Sequence, residues 1–255
     1  MIKYMEITIS NILAILTILT VCFIAYNVTG DVTISKYVTT IYMYIGLGLL
    51  LMAYIWTIVD KNPEIYEKYI RGNFVGTTII FFASFFAILL IPTKHNIIKH
   101  AMWLIFMLIT GFMVYPIYKK NVDNNKLRSI LITLLTIIVV MTYVAYTTPE
   151  KIIESFRAPL MYGLCALIIA ELIDLLFFTR EGDFMTRFKI YSWAATIIFT
   201  LMLAVTTKDI WTKSKQIINK CNGETQMDCV DYPRDSLTGY LNIVNLFNGI
   251  SGVSQ

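Results

Sequence analysis

Leu237-Thr238-Gly239-Tyr240-Leu241-Asn242-Ile243-Val244-Asn245-Leu246-Phe247 runs straight into Asn248-Gly249-Ile250-Ser251-Gly252-Val253. The segment is apolar enough to leave water, yet it is interrupted by amides and glycines. A polar group taken out of water without a partner costs roughly 2–7 kcal/mol. Asn242 and Asn245 therefore cannot face lipid tails. Residues 237–253 are expected to form a helix buried inside a bundle, with polar partners for both asparagines. A position on a lipid-facing rim would contradict this.

Everything upstream supplies the membrane. Of 255 residues, 57% are hydrophobic and 15% charged, against about 25% charged in an average soluble domain. The charges also cluster between long apolar runs, so no helix keeps a wet face. Spans are read at roughly 7–27, 35–59, 73–92, 97–118, 127–147, 158–178 and 190–207, ahead of the final segment. Each approaches the ~20 residues that cross a ~30 Å hydrocarbon core. Backbone groups in lipid must be satisfied within the segment, so helices are expected in spite of frequent Ile, Val and Thr. The chain is thus expected to be an all-α membrane protein.

The net charge of +4 is spread over many loops. It forms no basic stripe with interleaved aromatics, which argues against nucleic acid as a partner. The first apolar run follows Lys3 and could be read as a signal peptide, but it is longer than an ordinary signal core and is expected to stay. If all eight segments span, 11 of the 21 Lys and Arg residues fall on the N-terminal side. Loop charge then leans weakly toward a cytosolic N-terminus. The sequon Asn27-Val28-Thr29 would lie on the far side with Cys221 and Cys229. Those two cysteines share one polar loop and can pair if it faces an oxidising compartment. Cys22 and Cys165 sit in apolar runs and read as packing residues.

Glu171 and Asp174 are the acids placed inside a span, three residues apart on one helix face. An ionisable residue in the membrane is a candidate site by default, so the pair is a candidate cation or proton path. The competing reading has Asp174 reaching the interface and Glu171 accepting an interhelical hydrogen bond. His95 and His100 are five apart, off a shared face, and with two cysteines make no zinc signature. No metal, cofactor or catalytic constellation is expected, and the chain is read as a non-enzyme. Trp56, Tyr115 and Tyr118 read as interface anchors. Gly111 after Thr110 would permit close helix approach.

The stretch Asp231 to Phe247 resembles the closing signature of the transmembrane BAX-inhibitor-motif family, a Leu-Tyr-Leu-Asp-Ile-Ile-Asn-Leu-Phe run in its last core helix. Tyr240, Asn245 and Phe247 match it. Thr110-Gly111-Phe112 with Pro116 is similar to the family's Thr-Gly-Leu…Pro element, and Tyr143 to Thr148 to the end of its fourth helix. Phe199 to Lys208 is similar to its sixth. The resemblance implies a seven-helix transmembrane domain over 35–255, with 1–34 as an additional N-terminal transmembrane segment. Residues 7–27 are then expected to be peripheral, and deletion of residues 1–30 to leave a folded core.

The family carries a pH-sensitive pair of acids that gates calcium passage. This chain has Thr206 and Asn242 at those positions. The resemblance therefore implies a Bax-inhibitor-like protein of an endoplasmic-reticulum-like endomembrane, acting on calcium and ion balance and suppressing cell death, with a defective pH gate. It also pairs Asn242 with Thr206 or Thr207. Its implied partners are the lipid bilayer, calcium ions and other membrane proteins. A structural or assembly protein of a membrane or envelope, keeping the fold without transport, stays open as the alternative. The family's usual topology puts loop 208–236 in the cytosol, which disfavours a Cys221–Cys229 bond.

Overall fold

A computed structural model describes residues 2–29, 31–174, 184–221 and 229–254. Among them the regular elements are all helical. The long ones are α1 (Ile2–Asn27), α2 (Ile34–Lys61), α3 (Phe74–Leu90), α4 (Asn96–Asp123), α5 (Leu127–Thr147), α6 (Glu150–Ile173), α7 (Phe184–Lys220) and α8 (Tyr232–Val253). Five stretches are long and apolar enough to cross a bilayer: Ile34–Lys61, Thr93–Asp123, Leu127–Thr147, Glu150–Ile173 and Thr186–Lys220. Asn11–Asn27 and Phe74–Leu90 are apolar but shorter. The chain is an all-α membrane protein.

Two helix limits differ from the sequence expectation. α6 starts at Glu150, directly after Pro149, rather than near 158; Pro149 has extended backbone (ψ 142°) and no N–H to lose at a helix start. Residues 175–178 of the expected sixth span lie outside the described residues. α7 continues past Lys208 and Asp209 to Lys220. Its polar end carries a stripe, Ile210, Ser214, Ile217 and then Cys221, all buried. That 3–4 spacing keeps one face covered where charge density suggested a loop.

The described chain forms two compact units, Met1–Pro116 with Trp211–Leu237, and Ile117–Ile210 with Thr238–Gln255. In the first, α2 buries Tyr37, Ile41, Tyr44, Met52, Trp56 and Val59. Tyr44 stacks on Tyr232 with centroids 5.7 Å apart and meets Trp103 edge-on at 5.3 Å. Such pairs add about 0.5–1.5 kcal/mol beyond area burial. α1 packs along α2 but leaves Ile12, Ile15, Ile18 and Leu19 exposed, with Ile24 and Asn27 buried near its end. Removing residues 1–30 is expected to preserve the thermal transition of the remaining chain in detergent. Its disappearance would make α1 integral to the fold.

In the second unit, Ala145 of α5 and Ile153 and Leu160 of α6 pack with Ala204 and Val205 of α7. α8 lies close against the start of α7. A Cβ on Gly249 would sit 2.7 Å from Thr196 Oγ1 and 3.2 Å from the Thr196 backbone nitrogen. That hydroxyl is fixed by its bond to the Ser192 carbonyl, 2.7 Å away. Gly249→Ala is expected to cost about 1–3 kcal/mol through overpacking. Gly46 has nothing within 4 Å of its Cβ position, and Gly46→Ala should be neutral or stabilising by up to ~1 kcal/mol. Unfolding of the two variants in detergent checks the contrast; equal stabilities would refute the close approach.

Candidate functional site

Asn242 lies on the buried face of α8 and is 2% exposed; Thr206 on α7 is 6% exposed. Asn242 Nδ2 donates to Thr206 Oγ1 at 2.9 Å. The partner expected for Asn242 is the one it has. Around it Tyr240, Ile243, Leu246 and Phe247 are all buried, and Asn245 is half-buried. The last helix is thus an interior element of its unit despite its polar residues.

Further polar ties hold the same helix. Asn121 Nδ2 donates to Ser251 Oγ at 2.8 Å, and Ser251 Oγ donates to the Phe247 carbonyl at 2.7 Å. Lys126 Nζ donates to the Ser254 carbonyl. Apart from the half-buried Lys126 ammonium, these bonds use neutral side chains and a backbone carbonyl. Neither Asn242 nor Thr206 changes charge over the physiological range, because amides and aliphatic hydroxyls do not titrate there. The pair can hold two helices together, and it cannot exchange a proton.

Glu171 and Asp174 are placed differently from each other. Glu171 lies in the last turn of α6 and Asp174 directly after it, and the residues that follow, 175–183, lie outside the described residues. Asp174 is buried and forms an ion pair with Arg187, Oδ1 to Nε 2.6 Å. Glu171 is exposed. Pro116 is an exposed residue inside α4. Gly111 is buried, and its carbonyl accepts Trp56 Nε1 at 3.0 Å.

The first unit holds a second polar cluster that the sequence reading did not assign. Lys99 is 2% exposed; its Nζ forms an ion pair with Asp231 Oδ2 and donates to the Ile91 carbonyl at 2.7 Å. One turn along α8, Asp235 accepts from Tyr37 Oη at 2.9 Å and pairs with Lys213. His100 Nδ1 lies 2.8 Å from the Asn96 carbonyl, which can only accept, so Nδ1 carries the proton. Its Nε2 then accepts from Tyr44 Oη at 2.6 Å. The signal that could have found this cluster is the i, i+4 spacing of Asp231 and Asp235 on a helix start.

Beside this cluster, Cys221 and Cys229 are joined in a disulfide with Cα atoms 5.7 Å apart. This corrects the expectation drawn from family topology. Cys22 and Cys165 are free.

No curated protein matches the chain, and no solved structure does. A family model described as inhibitor of apoptosis-promoting Bax1 matches residues 34–251. The match runs from the first residue of α2 into the last turn of α8, so it takes in seven of the long helices, the Thr206–Asn242 pair and the Asp231–Phe247 signature. On that coverage the chain belongs to the Bax-inhibitor family.

Proposed function

We propose that this protein acts on the ion balance of an endomembrane and suppresses cell death without enzymatic activity, and that its calcium passage is low and indifferent to pH. The observation that carries this reading is the buried Asn242–Thr206 hydrogen bond at 2.9 Å. It occupies the positions where the family places its titrating acids. A neutral bond holds α7 to α8 equally well at any pH, as a proton-sharing acid pair would only under acid conditions. Its partners under this reading are the bilayer, calcium ions and other membrane proteins.

Calcium flux in reconstituted liposomes tests it. A small flux that stays level between about pH 5 and 8, the window in which a coupled carboxylate responds, is expected. Strong acid-dependent gating in the parent protein would refute the proposal. No flux at any pH, together with high abundance in a purified particle or membrane lattice, would favour the assembly reading instead.

A further inference from the structure

We propose that the second unit holds an anionic phospholipid on the exposed face of α5, with Arg128 on the headgroup phosphate and an acyl chain along Leu127, Leu131, Ile132 and Leu135. These five residues line a shallow groove of about 390 Å³. Leu127, Leu131 and Leu135 follow one another at i, i+4 spacing, and Arg128 and Ile132 form the neighbouring row. The lining is apolar apart from the guanidinium at its start.

Depth in the bilayer follows from helix length. α5 runs from Leu127 to Thr147, 21 residues. At 1.5 Å per residue it is about 31 Å long, matched to the ~30 Å of hydrocarbon. Arg128 therefore stands at headgroup depth, and the residues after it stand among acyl chains. Side chains on a helix lean toward its N-terminus, which carries the guanidinium toward the interface. Leu131, Ile132 and Leu135 are exposed, so their neighbours in a bilayer are lipid chains.

Charge selects the headgroup. Arg128 is exposed, and among the described residues it has no hydrogen bond or ion pair. Nearby, Lys119 pairs with Asp123 at 3.4 Å. Lys126 donates to the Ser254 carbonyl, a neutral acceptor that leaves its charge uncancelled. From Lys119 to Arg128 there are four cations and one acid. Asn125, with φ 56°, turns the chain between α4 and α5 and keeps these charges at one end. A zwitterionic headgroup brings its own cation to this excess of positive charge. A headgroup with net negative charge brings phosphate oxygens alone, which a guanidinium binds through two parallel hydrogen bonds. The groove thus favours anionic over zwitterionic phospholipids.

The test uses the full chain in detergent, with phosphatidylglycerol and phosphatidylcholine of identical acyl chains as probes and retained lipid read by native mass spectrometry. The parent is expected to retain phosphatidylglycerol about tenfold more strongly. Arg128→Gln should lower that preference by at least about fivefold, and Arg128→Lys should keep part of it. Lys151→Gln, an exposed cation at the start of α6 and so at the other end of α5, should leave it unchanged. Both positions are exposed, so the thermal midpoints of the variants should stay with the parent. Glycerol phosphate, which has the anion and no chains, should not displace the bound lipid. Equal retention of the two lipids, an unchanged preference in Arg128→Gln, an equal loss in Lys151→Gln, displacement by glycerol phosphate, or a protein dimer without bound lipid would each overturn the inference.

Discussion

Replacing Thr206 and Asn242 together by aspartate is expected to turn a level calcium-flux profile into one that changes with pH. Thr206 and Asn242 touch through a single hydrogen bond of 2.9 Å in a buried site. Two carboxylates held at that distance cannot both ionise at ordinary pH, so they would share a proton and titrate as a pair. Losing that proton puts two like charges in contact and pushes α7 and α8 apart. A coupling of about 1–3 kcal/mol between protonation and helix arrangement corresponds to a change of roughly 5–150-fold. Neither Thr206→Asp nor Asn242→Asp alone should reproduce it, because a lone acid beside an amide or hydroxyl keeps a hydrogen-bond partner. The comparison is flux for parent, both singles and the double between about pH 5 and 8. A double variant as level as the parent would remove this site from any gating role.

Lys99→Met is expected to be the most destabilising single change in the first unit. The ammonium is 2% exposed and Asp231 15%, so removing the cation leaves a carboxylate with little access to water. It also deprives the Ile91 carbonyl, at the end of α3, of its donor. Breaking one half of a buried ion pair costs about 3–5 kcal/mol, and replacing both halves by apolar residues of similar volume is often neutral. Lys99→Met with Asp231→Leu should therefore recover most of the loss. Unfolding in detergent measures both. A single variant within ~1 kcal/mol of the parent would mean that the pair is solvated and structurally idle.

How far the sequence could be read differs from residue to residue. The apolar runs and the internal place of Asn242 were legible because lipid offers no partner for an amide, which leaves one solution. The Thr206 partnership was legible through the family signature, since nothing in local spacing connects positions 206 and 242. The length of α7 was not legible. Lys208, Asp209, Lys213 and Lys215 look like a loop until the buried stripe of Ile210, Ser214 and Ile217 is seen beneath them. Glu171 and Asp174 share a helix by spacing, but spacing alone could not tell that Asp174 is buried against Arg187 and Glu171 exposed. The Lys99–Asp231 pair escaped because an ion pair 132 residues apart in sequence leaves no periodic trace.

The Trp56–Gly111 bond reaches beyond packing. The indole can donate to the Gly111 carbonyl only because the two helices come very close. A Cβ at 111 would stand 3.2 Å from Ile55 Cβ and 3.3 Å from Met52 Cα. A methyl at 111 would press on α2 by a few tenths of an ångström, and a larger side chain would push α4 off α2 and draw the carbonyl away from the indole. Positions 52, 55, 56 and 111 consequently behave as one heritable unit. In a randomised library they should be recovered in a few joint combinations, and a tryptophan at 56 should survive selection only where residue 111 stays small.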